Sequence, residues 1–348
     1  IGILSACSMA TNFNSSNQRG FVYEKEGVES FVNGALSYLQ DPNGDGDKSD
    51  SKISDADVIT YHPYSYHKNP EIINERDLTG VMDIAKKYGV NTDSAWHTEI
   101  GWSTAMFPIN VACIGDEYVQ AKNMVRQYAS MFTRNNKDKL FIYDFIDDDI
   151  ITNSQESNYG LIHSELYKTP YAAKLSYLAL SNLNKMVGDL PNATFVYNTV
   201  DDLYTGDYKS ETNGYGKTGN MIAKFSGDTD KIVYMLWGIE DNKEVSYTIP
   251  ENVIAYYDYL GNKIAPSEVK TSTGYKVSTE PYYAVCGSDA EASIINRGEN
   301  NVKVTVEGVT DKINDTVMLF ISDKDVDGIR DIDNSNLIYT SFCTSSNT

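Results

Sequence analysis

DSAWHTEIGWST, residues 93–104, sets the frame for the whole chain. Its first eight residues form a short apolar run suited to a buried strand. A single acid, Glu99, stands near the end of that run, with Trp96 before it and Trp102 after it. Three other runs read the same way: IGILSACS (1–8), DVITYHPY (57–64) and KLFIYDFI (139–146). Each of the four is followed by a stretch of helical periodicity, at 26–39, 77–88, 117–133 and 169–186. In the last stretch Tyr171, Leu175, Leu178 and Leu183 make one core-facing stripe. Strand and helix alternating in this way predict a parallel α/β sheet over residues 1–188.

After Gly188 the texture changes. MIAKFSGDTDKIVYMLWGIEDNKEVSYTI, VIAYYDYLGNKIAP and GYKVSTEPYYAV alternate strands with turns, which predicts an antiparallel β-sandwich over 189–288. From 289 to 348 a further β segment opens like an immunoglobulin-type module and ends before such a module would close. The N-terminus begins inside a strand without methionine, so the reading expects the true N-terminus upstream and a truncation at each end.

Composition narrows the function classes. The chain has 348 residues, 41% of them hydrophobic, enough for at least one large core. Its 49 acidic against 29 basic residues give a formal charge of -20. Such a field repels phosphate backbones and anionic membrane surfaces, which argues against a nucleic-acid partner. The 26 tyrosines offer rings that stack on sugar faces, although tyrosine also favours strands. Cys7, Cys113, Cys286 and Cys343 are far apart and form no zinc or disulfide framework. No run approaches the roughly 18 apolar residues of a membrane helix.

In parallel barrels the catalytic groups sit at the C-terminal ends of strands, where the βα loops form the active face. Glu99 stands at such an end. Alternation along a strand predicts His62 and Tyr64 on one face of the preceding strand, and His97 on the same face as Glu99. Donors converging on a carboxylate keep it ionised and oriented, as a nucleophile needs. A solvated carboxylate or helix cap is the bland alternative for Glu99. Each histidine, taken alone, is more often a packed core residue than a catalytic one.

These residues resemble clan A barrel glycoside hydrolases, in particular family 39-like endoglycosidases. HPYSYHKNPE (62–71) is similar to the strand 6 motif, WHTEIGW (96–102) to the strand 7 motif that bears the nucleophile, and FIYDFIDDD (141–149) to strand 8. ESNYGLIHSELYKTPYAAKLSYLAL (156–180) is similar to the segment leading into the closing helix, and the following β-domain to the accessory sandwich of such enzymes. The resemblance implies the C-terminal half, strands 5 to 8, of a (β/α)8 TIM barrel, without the strand that carries the acid/base glutamate. It implies Glu99 as nucleophile of a retaining hydrolase, with His62, Tyr64, His97, Trp102, Tyr143 and Asp144 around the substrate, and no required cofactor. The fragment alone would then be inactive.

One departure stands out. Related strand 8 sequences carry a tryptophan platform at the position that aligns with Ile142, which leaves Tyr143 or Trp96 to supply the stacking face. Asp144 and Asp147 to Asp149 are expected at the cleft rim, as helpers or as a solvated acidic loop. The second reading is a non-catalytic carbohydrate-binding or adhesive surface protein on a decayed barrel. The third is an unrelated α/β enzyme using Glu99 differently. Both glycan readings imply an extracellular or cell-surface setting.

Two loops alternate oxygen donors like calcium loops. DPNGDGDKSDSK (41–52) offers Asp41, Asn43, Asp45 and Asp47 with Gly46 at the sixth position. Lys52 stands where a bidentate acid is expected, with Asp50, Asp55 or Asp57 as substitutes, and a flexible polar insertion is the alternative reading. The second pattern is DKDVDG (323–328).

Overall fold

The structure is a computed structural model that describes residues 5–7, 25–53, 58–62, 64, 69–71, 79–90, 94–105, 116–151, 154–199, 219–287, 316–322 and 337–344. Ile1–Asn296 form one compact unit and Arg297–Thr348 a second.

The first layer is a four-stranded parallel sheet in sequential order: β1 (Ser5–Cys7), β2 (Ile59–His62), β3 (Ala95–Ile100) and β4 (Lys139–Ile142). Between and after them run α1 (Lys25–Gln40), α2 (Thr79–Lys87), α3 (Glu117–Arg134) and α4 (Leu175–Val187). The alternation read from sequence is present. Helix α3 shows why it starts and stops where it does. Asp116 caps it by accepting the Tyr118 N–H at 2.7 Å, while Glu117 in the first turn and Arg134 in the last complement its dipole. Helix α4 begins six residues later than periodicity predicts. Tyr171 takes a left-handed φ of 57°, and 162 pairs with 146 and 173 as isolated bridges, so the backbone before Lys174 cannot be helical.

Val32, Leu36, Ile59, Met82, Ala85 and Ala95 form the core under α1 and α2. Ile100, Trp102, Met124 and Leu161 form another beside α3, with Leu140 and Ile142 packed against it. Leu140 and Ile142 therefore face the helices, and alternation turns Phe141 to the opposite face. There Phe141 is 46% exposed and tilts against Trp96 at 5.9 Å.

The second layer is a six-stranded antiparallel sheet. In spatial order it runs 263–264, 253–258, 282–286, 232–238, 220–226 and 192–198. One face packs on α3 and α4 through Phe225, Val233, Met235, Trp237, Tyr283 and Val285 against Ala121, Val125, Ala129, Ala179, Leu183 and Met186. The other face packs on a two-stranded sheet (243–245 with 275–277) through Leu236, Tyr256 and Tyr282 against Val245, Tyr275 and Val277. Each fully buried side chain of this size contributes about 1.5–3 kcal/mol. Cys286 is free and buried in this sheet, and burial pushes its thiol up to about 12.

A buried ion pair also ties the two layers together. Arg126 on α3 donates to both oxygens of Glu71, Nε to Oε1 at 2.8 Å and Nη2 to Oε2 at 2.7 Å. Trp237 Nε1, from the second sheet, donates to Oε1 of the same carboxylate at 2.8 Å.

In the second unit the described residues form one antiparallel pair, Thr316–Ser322 with Leu337–Thr344. The acid-rich 323–328 pattern between these strands lies outside the described residues, as do Asp55 and Asp57.

Candidate functional site

The C-terminal ends of β2, β3 and β4 meet at Glu99. Its Oε2 accepts the Tyr64 hydroxyl at 3.1 Å and stands 3.1 Å from His62 Nδ1. The carboxylate side chain is 38% exposed and that of His62 21%, so the group is orientated yet open to a reactant. Sequence alternation put His62 and Tyr64 on this side, and both are there.

The same alternation fails for His97. The β3–β4 register runs His97 opposite Leu140 and Ile100 opposite Ile142, so three steps on β3 match two on β4. This bulge inserts one residue at 98–99 and restarts the parity. Ala95, His97 and Ile100 become the buried series, while Trp96, Thr98 and Glu99 are only partly buried. His97 is fully buried rather than beside Glu99. Burial and the nearby Arg134 guanidinium hold it down to about 3, so it is neutral in the core.

Trp102 is also corrected. It is fully buried in the cluster with Ile100 and Met124, and its carbonyl accepts Gln120 Nε2 at 2.8 Å. A wall to an open cleft it is not.

Ile142 faces the helix-side core, so it leaves no gap in the mouth. The aromatic at the mouth is Tyr143, joined to Asp144 by a cis peptide bond. Its N–H donates to Ile100 O at 2.8 Å. Gly101 makes this close approach feasible, since a Cβ there would lie 1.9 Å from Tyr143 O. Burial, then the charges of Glu156, Asp144, Asp148 and Glu99, raise the Tyr143 phenol above its ordinary value and keep it protonated. The Tyr143 ring meets Tyr159 edge-on at 5.3 Å, and Tyr159 meets Tyr64 at 6.0 Å.

Asp144 is half-buried, and among the described residues its enclosed Oδ1 has no hydrogen-bond partner. Burial, with Asp148 and Asp147 nearby, pushes its carboxyl up to about 6. Its folded value lies above the ordinary carboxylate value, so ionisation opposes folding. The penalty is absent below about pH 3, still small near pH 4, and complete once pH has passed about 6. Asp144→Asn should therefore be close to neutral for stability at pH 4 and stabilising at pH 7. Urea unfolding of both proteins across that range checks this; a pH-independent difference would contradict it.

Asp147 is neither a rim helper nor a solvated acid. It is 4% exposed, and its Oδ1 accepts Lys174 Nζ at 2.6 Å and the Gly160 N–H at 2.8 Å. Its Oδ2 stands 3.3 Å from His163 Nδ1, and His163 Nε2 stands 3.2 Å from Glu117. This network, built on the N-terminal ends of α3 and α4, pins the loop after β4 behind the mouth. Sequence reading missed it and Tyr159; the ESNYGL turn was their only trace.

In the 41–47 loop the acids turn onto their own backbone. Asp41 accepts from Gly44 and Gly46, Asn43 from Asp45, Asp45 from Asp47, and Asp47 from Ser49. Gly46 takes the left-handed φ of 83° that the sixth position of such a loop needs. Among the described residues no group of three or more His, Cys, Asp or Glu side chains converges as a metal site. No helix among them is long and apolar enough to cross a membrane.

Fold and site together describe a parallel α/β layer with a hydrogen-bonded carboxylate at the C-terminal end of a strand. Among solved structures, the chain is similar to a family 39 glycoside hydrolase from the gut symbiont Bacteroides cellulosilyticus WH2, at 19% identity and a TM-score of 0.47, covering 67% of this chain and 44% of that one. It is also similar to a glucosidase from Croceicoccus marinus, at 13% identity and a TM-score of 0.37, covering 65% of this chain and 40% of that one. A glycoside hydrolase family 17 β-1,3-glucanosyltransferase from Rhizomucor miehei follows at 12% identity and a TM-score of 0.24, covering 43% of this chain and 57% of that one. The chain thus spans less than half the length of the first two. No protein-family model matches it, and comparison with curated proteins finds no match.

Proposed function

We propose that this chain supplies the nucleophile half of a retaining glycoside hydrolase active site, acting on an oligo- or polysaccharide. The observation that carries the reading is the Glu99 carboxylate, which accepts Tyr64 Oη and stands beside His62 Nδ1, each at 3.1 Å, at the C-terminal end of a parallel strand. In this reading one Glu99 oxygen attacks the anomeric carbon as the glycosidic C–O bond breaks, and the leaving oxygen takes a proton from a second carboxyl. Water, deprotonated by that same group, then displaces Glu99 with net retention. By the resemblance, the second carboxyl belongs to the strand preceding β1, outside this sequence, about 5–5.5 Å from Glu99. In this reading Tyr143 supplies the ring face that relatives provide with a tryptophan at the position of Ile142. Ile142 packs on the helix side, so the aliphatic residue there does not by itself favour the alternative reading of a non-catalytic binding protein.

The test is covalent trapping. A protein carrying both carboxylates, incubated with 2-deoxy-2-fluoroglycosides of the common hexoses and pentoses, should gain one glycosyl mass on the peptide containing Glu99. Adducts mapping only to other peptides would refute the assignment.

A secreted or surface-attached setting belongs to the same proposal. We also propose one structural calcium at Asp41, Asn43, Asp45 and Asp47, supported by the left-handed Gly46 and by the enclosed, unpartnered Asp50 Oδ1. Millimolar calcium should raise the melting temperature above that in chelator, and Asp45→Ala should erase the difference; equal melting in both would reject the ion.

A further inference from the structure

We infer that Tyr159 is the positioning residue that sets the two phenols around Glu99; the inference rests on Glu99 being the reacting carboxylate. Tyr64 follows β2 and Tyr143 follows β4, with β3 between them, so no backbone pairing fixes one against the other. Tyr159 is in contact with both. Its ring is 2% exposed and meets Tyr64 at 6.0 Å and 65° and Tyr143 at 5.3 Å and 66°, the edge-on geometry aromatic pairs prefer.

Tyr159 is itself fixed from several sides. Gln155 Nε2 donates to its hydroxyl at 2.7 Å, and its carbonyl accepts Gln120 Nε2 at 3.2 Å and the Asp144 N–H at 3.4 Å. The flanking residues leave it no slack. Asn158 spends its side-chain amide on Ile151 O at 2.7 Å and Ser154 O at 2.6 Å. Gly160 lies so close to the next loop that a Cβ would come within 2.2 Å of Asp147 N.

Tyr159 is 2% exposed and its hydroxyl oxygen accepts from Gln155, so burial closes it to substrate. What the ring contributes is orientation. With its edge contact in place, Tyr64 keeps one rotamer and donates to Glu99 continuously; without it, the phenol samples others and the carboxylate loses its donor for part of the time.

The test places 3-fluorotyrosine at position 64 of the full chain and reads its fluorine resonance. In the parent, Glu99→Gln should shift that resonance, because the phenol's acceptor changes. In a Tyr159→Leu background the same Glu99→Gln change should produce a shift less than half as large, whereas Tyr159→Phe, which keeps the ring, should retain it in full. A residue that served stability alone would lower the melting temperature yet leave the Glu99-dependent shift intact, and that result would overturn the inference. Tyr159→Met takes the place of Leu if the Leu variant does not melt cooperatively. Absence of the shift in the parent would mean that Tyr64 and Glu99 are not paired, and the inference would fall with that contact. Trapping at Glu99 reports separately on the hydrolase reading.

Discussion

Glu71→Ala is expected to lower the free energy of unfolding by about 3–5 kcal/mol, the range seen when one partner of a buried ion pair is removed. Glu71 is 2% and Arg126 1% exposed, so no water replaces the lost carboxylate. Arg126 would keep its charge inside the protein, with the Asn69 amide oxygen, 3.2 Å from Nη2, as its remaining side-chain hydrogen-bond acceptor among the described residues. Trp237 Nε1 would lose its acceptor as well. Equilibrium urea unfolding measures the effect, which should move the midpoint by roughly 1–2 M at a slope of about 3 kcal/mol/M, the upper end of the range for small proteins. The sharper check is the double variant Glu71→Met with Arg126→Leu, expected to recover most of the loss because no unpaired charge remains. A double variant as unstable as the single one would show that packing, not charge, sets the cost.

Glu99→Gln should abolish turnover, by about 10⁴-fold or more, in a protein that carries both carboxylates. The amide keeps the shape and still accepts from Tyr64, so binding of the intact glycan should survive while the covalent intermediate does not form. Fluoroglycoside trapping should disappear with it. Turnover within tenfold of the parent would remove Glu99 from the nucleophile role. Loss of glycan affinity together with turnover would point instead to a collapsed mouth.

Much of this was legible in the sequence because it depends on short-range periodicity. The four apolar runs and the stretches between them mark the parallel layer, with three helices starting close to where periodicity put them. Counting alternate residues predicted His62 and Tyr64 on one face, and both meet Glu99 although Tyr64 lies just past the end of β2. What stayed hidden depends on breaks in regularity or on distant partners. One extra residue at 98–99 reversed the parity linking His97 to Glu99, and nothing in TEI announces a bulge. Trp102 was read by proximity to the acid, whereas its place in the core is decided by α3. Helix α4 starts late because Lys174 is drawn into the buried Asp147 network and Tyr171 turns left-handed, both tertiary effects. Glu71, Arg126 and Trp237 come from three distant points of the chain and carry no local signature.

The helices α3 and α4 have a sheet on each side, and Ala121, Val125, Leu183 and Met186 belong to the same core as Phe225, Met235 and Tyr283. The break in sequence texture at Gly188 is therefore not a seam along which the protein could be cut or recombined. An exchange there would strip two helices of their outer partner and expose a continuous apolar face. Any engineered variant that trades the parallel layer for another must bring a matching second sheet with it. The two layers share one apolar core, so a substitution on the inner face of the outer sheet is felt by both helices.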